Sequence, residues 1–497
     1  MVIDNLNKKV AIGYLWNLAS KWITRFIGII STLILIRILA PNDFGIATLA
    51  NIVLALFVML SEVGSDKYVI KSQECTNELL NSAWSLNIAL KFLCGIIIAS
   101  VAPYIADFIH EPILINVLLV CSVIPIIGAF KNIGILQFER DLNYRPLTKL
   151  SVAVKLTVFP ITIGLALWLQ NYWALLVGTL VSEVIGVIGS YRIHPYRPKW
   201  SMKQWGKQWS FSKWMVISTT TGYLRSRIDA FLLGKFLPAN AVGLFRVSQE
   251  FAWLPFSEVI APATRSFYAS LTKVSNDKKE LIEQLIRYQS IAYVLVVPSA
   301  FGIYVLQDQI VWVVMGEKWM PAAPVLGLLS LLMLSMPLNI ALQSVLTHLS
   351  KVRYLVWIDV VMILAIGGSF VALYQQGVEE LVTYTLLRVI LVIVFIMMLL
   401  ISYKWILGIP VIRLLTSLLI PMLPALVMYW GIEQLLLMIH FVPVINLALS
   451  IVAGAAIFTP LMLIMIITFR KLLPDYQYLY ELIIHVAAML RRKIVTR

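Results

Sequence analysis

The chain has 497 residues, of which 60% are hydrophobic and 13% are charged, with a mean hydropathy of +0.87. Soluble globular domains carry roughly twice that charged fraction, so the composition excludes a water-soluble protein and predicts a polytopic membrane protein. Apolar runs of helical length, separated by short basic connectors, favour an all-α architecture over a β-barrel.

Fourteen membrane-spanning helices are predicted from these runs. Their approximate bounds are 11–36, 44–62, 83–104, 113–135, 148–169, 173–190, 211–237, 243–270, 287–315, 322–345, 355–374, 378–403, 412–432 and 444–468. With a cytoplasmic N-terminus, 27 of the 40 lysines and arginines fall in inside segments, and only Arg37 and Lys318 fall in outside loops. The positive-inside rule therefore predicts that both termini are cytoplasmic. The net charge of +15 is explained by this topology and by contact with anionic membrane lipids, so no nucleic-acid partner is expected.

The first predicted span carries two cations in its middle, Lys21 and Arg25. At 3.6 residues per turn they share one face with Asn17, Thr24 and Gly28. No acid lies four residues from either cation. Because a cation without a partner costs several kcal/mol near the bilayer centre, this face is expected to line a protein interior. Ammonium and guanidinium groups hold desolvated phosphates well, so the pair is a candidate site for an anionic ligand.

The turn after the first span has a near copy later in the chain. Residues 37–45 read RILAPNDFG, and residues 235–243 read KFLPANAVG at an offset of 198, which pairs Gly45 with Gly243. Six predicted spans lie between the copies, so both copies would begin on the same side of the membrane. The repeat predicts two parallel lobes about an axis normal to the membrane, and chance similarity over one turn is the alternative.

The segments define five regions. The N-terminal lobe is residues 1–190, a basic cytoplasmic linker is 191–213, and the C-terminal lobe is 214–403. Two additional helices occupy 404–468, and a basic amphipathic tail occupies 469–497.

One face of the tail carries apolar residues at helical spacing: Tyr476, Leu479, Ile483, Val486 and Leu490. Such a helix lies either at the membrane interface or against the helix bundle, and the sequence leaves both arrangements open.

Eleven cations and about six acids fall within the predicted spans. The cations assigned to anion binding are Lys21, Arg25, Lys91, Arg225, Arg227 and Arg246. The acids assigned to ion coupling or internal pairing are Glu183, Asp229, Glu250 and Asp359. Helical spacing predicts one pair between Arg225 and Asp229, and another between Arg246 and Glu250. Internal pairing is favoured over ion coupling for each acid.

Signals for catalysis and cofactors are missing from the sequence. It contains no glycine-rich nucleotide loop, its five histidines are scattered, and Cys75, Cys94 and Cys121 show no metal-ligand spacing. No catalytic residue, metal or cofactor is therefore expected, and transport by alternating access is the favoured mechanism. The first span is too long and too charged for a cleaved secretory signal, so it is expected to remain in the mature protein.

Four stretches, in this order, carry a family pattern over the first two-thirds of the chain: Arg37-x-Leu-x-Pro-x-Asp-Phe-Gly; Glu62 through Gly64 to Ile70, Gln73 and Glu74; Tyr196-Arg197-Pro198; and Gly316-Glu317-Lys318-Trp319 before Ala323-Pro324-Val325-Leu326. In these stretches the chain resembles the Wzx-type polysaccharide flippases, in particular the colanic-acid-exporter-like branch. They belong to the multidrug/oligosaccharidyl-lipid/polysaccharide exporter superfamily.

The resemblance implies two six-helix lobes and two additional C-terminal helices around a cationic cavity, in the bacterial inner membrane. It also implies a flippase that moves undecaprenyl-diphosphate-linked oligosaccharide from the cytoplasmic to the periplasmic leaflet. A polysaccharide polymerase and a chain-length regulator are the implied partners. The resemblance does not transfer the family's cavity cations to numbered positions of this chain, so the assignment of cations to the site comes from this sequence alone.

Two alternatives from the same superfamily remain open, a peptidoglycan lipid-precursor flippase and a multidrug or cation antiporter. Antiporters usually have twelve spans and acid-dominated cavities, whereas fourteen predicted spans and an excess of cations favour an anionic, lipid-linked substrate. A membrane glycosyltransferase or polymerase would need a sizeable charged outside loop, and the predicted outside loops are short.

Overall fold

The computed structural model describes residues 2–61, 65–72, 75–206, 223–224, 226–261, 264, 267, 278–349, 351–439 and 441–495. These residues form helices joined by short turns, and no strand occurs among them. The predicted all-α fold is confirmed.

Helices of the first half are numbered in chain order. They are α1 Val2–Ile38, α2 Pro41–Ser61, α3 Ser65–Lys71, α4 Asn77–Ile109, α5 Ile113–Cys121, α6 Val123–Ala129, α7 Leu136–Arg140, α8 Arg145–Leu169, α9 Trp173–Ile193, α10 226–236 and α11 Ala239–Ala252. A 3₁₀ turn, Ile133–Ile135, precedes α7.

The second half continues the numbering. Its helices are α12 Lys278–Val305, α13 Gln307–Ile310, α14 Ala323–Leu331, α15 Met336–His348, α16 Val352–Gln375, α17 Leu381–Ser402, α18 Val411–Met438, α19 Pro443–Phe469 and α20 Pro474–Val495. π-helical turns lie at Phe256–Ile260, Val311–Met315 and Tyr403–Leu407, and 3₁₀ turns lie at Glu317–Ala322 and Leu332–Ser335.

Within the described residues, 11 helical segments are long and apolar enough to cross a membrane, and a pair bent by 61° makes a twelfth. The bent pair is Ile113–Ala129 with Ile133–Arg140. These twelve segments correspond to twelve of the predicted spans and confirm a multi-pass membrane protein. The predicted spans 211–237 and 243–270 lie partly outside the described residues, so the count of fourteen stays a prediction.

The chain packs as two compact units, Met1–Gly243 and Leu244–Arg497, and α11 crosses the boundary between them. The five regions expected from the sequence stay a prediction. In the second unit, α20 packs into the hydrophobic core through Tyr476 and Leu479, which are both buried. The N-terminal end of the tail helix therefore lies against the bundle.

The two copies of the repeated turn contact each other within the first unit. A Cβ atom on Gly45 would overlap the carbonyl oxygen of Ala239, and a Cβ atom on Gly243 would overlap that of Pro41. The offset of 198 relates Pro41 to Ala239 and Gly45 to Gly243. The contact is therefore reciprocal, as a local two-fold relation between the copies requires.

Replacing Gly45 or Gly243 with alanine is expected to destabilise the fold by about 1–3 kcal/mol, because each methyl group would meet a backbone carbonyl that cannot rotate away. The measurement is the Tm of the purified protein in detergent. Gly164→Ala is the matched control, because no atom lies within 4 Å of its Cβ position and alanine favours the helix. Equal Tm values for Gly45→Ala, Gly243→Ala and wild type would contradict the close contact.

Candidate functional site

Contacts with α8 fix the rotation of α1 about its axis. The hydroxyls of Ser20 and Ser151 lie 2.8 Å apart, and the hydroxyl of Thr148 donates to the carbonyl of Trp16 at 3.1 Å. The guanidinium of Arg145 lies 5.7 Å from the ring centroid of Trp16. The side of α1 that carries Trp16 and Ser20 is therefore the side that packs on α8.

The predicted cationic face of α1 is a different side of the helix. At about 100° per residue, Lys21 points about 100° away from Ser20 and about 140° away from the exposed Phe26. Lys21 is exposed and Arg25 is half-buried. The cations thus occupy a face that is separate from both the α8 contact and the exposed apolar side.

Next to this face, α1, α8 and α9 enclose a polar cavity of about 260 Å³. Gly28 and Ser31 line it from α1, Lys155 and Thr162 from α8, and Thr179 from α9. The missing side chain of Gly28 leaves open space, since no atom lies within 4 Å of its Cβ position. An ammonium group and several hydroxyls therefore meet between three apolar helices, as binding of a polar or anionic group would require.

Lys155 was not among the assigned site residues, although it is one of the eleven cations in predicted spans. A signal was available in the sequence, because Lys155 and Thr162 are seven residues apart and share a helix face. The sequence does not indicate which helix packs beside Lys155 and Thr162. Thr162 packs directly against Gly178 of α9, and this contact brings the hydroxyls of α9 to the cavity.

The other assigned cations of the first unit lie on two further helices. Lys91 is half-buried on α4 and shares a helix face with the buried residues Cys94 and Gly95. On α10, the guanidinium of Arg227 lies 6.0 Å from the ring centroid of Tyr223. The hydroxyl of Tyr223 donates to the carbonyl of Ile52 at 3.0 Å, which ties this region to α2.

Two assigned arginines fall elsewhere. Arg246 belongs to the second unit, where it is half-buried and donates to Gln249 Oε1 at 3.0 Å. Arg225 lies outside the described residues, so its expected pairing with Asp229 stays a prediction, as does the pairing of Arg246 with Glu250.

The four assigned acids are separated along the fold. Glu183 of α9 lies against α6, with its Oε2 3.2 Å from the Cβ position of Gly128. Asp229 is buried on α10, whereas Glu250 on α11 and Asp359 on α16 are half-buried. Across the described part of the chain, none of the lysines Lys21, Lys91 and Lys155 forms an ion pair with a carboxylate. Positive charge in these helices is thus available for an anion.

The connector after α9 is held on the first unit by the buried Asn132, which lies at the break in the bent span. Its Nδ2 donates to the carbonyls of His194 and Tyr196 at 3.2 and 2.8 Å, and its Oδ1 accepts from the amide of Gly134 at 2.9 Å. The hydroxyl of Tyr196 donates to Asn81 Oδ1 at 2.7 Å. This hydrogen-bond network gives the Tyr196-Arg197-Pro198 motif a structural role, because it holds the connector on the first unit.

His194 is neutral in this arrangement. Burial lowers its pKa below the ordinary value, and the nearby Arg197 lowers it further. Its Nδ1 accepts from the amide of Tyr196 at 3.2 Å, which requires that this nitrogen carry no proton.

The second unit contains a large apolar groove of about 860 Å³ between α12, α18 and α19. It follows α19 from Ser450 to Ile466, a rise of about 24 Å, compared with roughly 30 Å for a bilayer's hydrocarbon core. Small residues open the space, among them Gly302, Gly454 and Ala455. The groove therefore suits a long hydrocarbon chain that lies along the helices.

A model of the polysaccharide biosynthesis protein family matches residues 34–324, which is more than half of the chain. The chain belongs to this family. The resemblance to Wzx-type flippases, predicted from four short stretches, is confirmed by this match and by the names of the chain's relatives.

One relative is the lipopolysaccharide biosynthesis protein WzxC of Escherichia coli, 23% identical over 65% of this chain and 67% of its own length. Another is the succinoglycan biosynthesis transport protein ExoT of Rhizobium meliloti, 23% identical over 64% of each chain. The teichuronic acid biosynthesis protein TuaB of Bacillus subtilis is 20% identical over 76% of this chain and 78% of its own length. The chain thus spans about two-thirds of the length of the first two relatives.

Two solved structures share the fold of this chain. The lipid II flippase MurJ, in an inward closed conformation, superposes with a TM-score of 0.71 at 14% identity and covers 92% of this chain and 99% of its own. An inward-facing MATE family multidrug resistance transporter gives a TM-score of 0.57 at 12% identity, over 78% of this chain and 94% of its own. At these identities the likeness establishes the fold alone.

Proposed function

We propose that this chain is a flippase, which moves undecaprenyl-diphosphate-linked oligosaccharide from the cytoplasmic to the periplasmic leaflet by alternating access. The observation that carries the proposal is the set of lysines without carboxylate partners on the apolar helices α1, α4 and α8. A cation on a membrane-spanning helix is costly unless water or an anion meets it, and a diphosphate would supply that negative charge. The family and the names of its relatives support the same function.

The cations have a direct role in this proposal. Lys21 and Arg25 bind the diphosphate, with Lys155 adding positive charge beside Gly28 of the same helix and Lys91 adding positive charge on α4 of the first unit. Arg225, Arg227 and Arg246 remain proposed members of the same cationic site, and Glu183, Asp229, Glu250 and Asp359 remain candidates for internal pairing or ion coupling.

The apolar groove of the second unit supports a lipid-linked substrate. Removing one CH₂ group from water is worth about 0.8 kcal/mol, so a long prenyl chain needs an apolar path while its polar end moves. The groove offers such a path, and its lining residues are almost entirely apolar.

The proposal is tested by expressing the chain in a bacterial strain that lacks its own repeat-unit flippase and accumulates the lipid-linked repeat unit. We expect restored surface polymer and loss of the accumulated intermediate. Unchanged accumulation with the protein correctly inserted, across strains with several repeat-unit structures, would argue against the proposal.

A peptidoglycan lipid-precursor flippase is the second candidate, because its substrate would differ only in the glycan and would meet the same cations. Survival of a strain depleted of its lipid II flippase, supported by this chain, would favour that candidate. Efflux of a cationic dye in place of either activity would favour a multidrug antiporter.

The proposed orientation has both termini in the cytoplasm, with the polymerase and the chain-length regulator as proposed partners in the same membrane. A cysteine at Lys203, which is exposed on the basic connector, is expected to stay unlabelled by a membrane-impermeant maleimide in intact spheroplasts. Lys318→Cys, on an outside loop, is the matched control and is expected to react. Labelling is measured in a background without the three native cysteines, and the reverse pattern would overturn the orientation.

A further inference from the structure

A second and smaller cavity, the Arg287 pocket, meets one end of the apolar groove in the second unit. It has a volume of about 280 Å³, and its polar lining residues are Gln284, Arg287, Tyr288 and Tyr478. Leu295 lines both this pocket and the groove. A ligand whose polar end lies in the pocket can therefore continue as a hydrocarbon chain along the groove.

The guanidinium of Arg287 is held in place and remains accessible. It lies 4.8 Å from the ring centroid of Tyr478, and its side chain is 33% exposed. The hydroxyl of the neighbouring Tyr288 lies 2.9 Å from that of Thr264. Among the described residues that line the pocket there is one cation and no carboxylate. Arginine presents a planar set of donors that matches phosphate oxygens, so the lining chemistry favours a phosphate group.

We propose that the Arg287 pocket binds the phosphate of the prenyl carrier lipid, with the prenyl chain in the groove. This proposal rests on the proposed function and adds a docking site on the second unit, separate from the cations of the first. The groove is one continuous cavity along α19, so it can hold the single long chain of a prenyl carrier.

The size of the pocket limits what it recognises. Drug-sized ligands occupy pockets of about 300–1,000 Å³, and the Arg287 pocket is smaller than that range. It has room for a phosphate group and not for an oligosaccharide, so the glycan stays in solvent. The site therefore recognises the phosphate and the prenyl chain of the carrier and makes no contact with the glycan.

A nearby acid modulates this site. Oε2 of Glu283 lies 3.6 Å from Nη2 of Arg287, one helical turn earlier on α12, and it competes with a phosphate for the guanidinium. Removing the carboxylate charge is expected to strengthen phosphate binding, and removing the guanidinium is expected to weaken it.

The experiment measures binding of undecaprenyl monophosphate to the full-length protein in nanodiscs by native mass spectrometry. Arg287→Gln is expected to raise Kd about tenfold, and Glu283→Gln to lower it about threefold. Arg470→Gln is the matched control, because this guanidinium lies 4.3 Å over the ring of Tyr480 and does not line the pocket. Ala455→Trp, at an exposed position of the groove, is expected to weaken binding by blocking the chain without changing a charge.

Binding that is insensitive to both Arg287→Gln and Ala455→Trp in folded protein would overturn the proposal. So would phosphatidylglycerol binding with the same affinity and the same dependence on Arg287, since the site would then hold a bulk phospholipid. The probe carries no sugar and no transport is measured. Normal binding without restored polymer would therefore count against the proposed function alone, and restored polymer with insensitive binding would count against the pocket alone.

Discussion

Replacing Lys21 and Arg25 together with glutamine is expected to reduce polymer export about a hundredfold or more. Hydrogen bonds to charged groups contribute about 1.5–3 kcal/mol each, and each of the two substitutions removes a positive charge from the proposed diphosphate site. The measurement is surface polymer and accumulated lipid-linked intermediate in the complemented strain, at matched protein levels in the membrane.

Two control variants test whether the loss of export is specific to positive charge at Lys21 and Arg25. Lys131→Gln removes an exposed cation at the break of the bent span and is expected to leave export unchanged. Lys21→Arg keeps the charge and is expected to retain most of the activity. Normal export by the double variant at normal expression would reject the cationic site on α1.

Replacing Asn132 with alanine is expected to lower the free energy of unfolding by about 1–3 kcal/mol. The substitution leaves the buried amide of Gly134 without its partner, whereas the carbonyls of His194 and Tyr196 lose one hydrogen bond each and still accept from Arg197. Release of the connector should also free the backbone around Lys199, whose amide donates to Asn81 Oδ1, so trypsin cleavage between Lys199 and Trp200 is expected to accelerate.

The measurements for Asn132 are Tm in detergent and the rate of limited trypsin digestion. Asn446→Ala is the matched control, because Asn446 is half-buried and both of its hydrogen bonds are exposed and go to Phe441, five residues away. If the Asn132 variant retains wild-type Tm and protease resistance, this residue does not hold the connector.

The reciprocal contact at Gly45 and Gly243 shows that the two copies of the repeated turn pack against each other. One copy of a nine-residue turn resembling another is weak as a sequence observation. The close approach of each glycine to the carbonyl of the other copy gives the similarity a physical reason, because a side chain at either position would separate the two helix starts.

The amino-acid sequence by itself determined the all-α membrane class, twelve of the spans, the family and the unusual cations of α1. These features depend on local properties, since the length of an apolar run is set by bilayer thickness and the cost of a buried charge belongs to the residue. Only the tertiary structure decided the cavity beside Lys155, the role of Asn132, the apolar groove and the Arg287 pocket. Each depends on residues far apart in the chain, such as Thr162 with Gly178 or Arg287 with Tyr478, whose approach follows from helix packing that hydropathy does not encode.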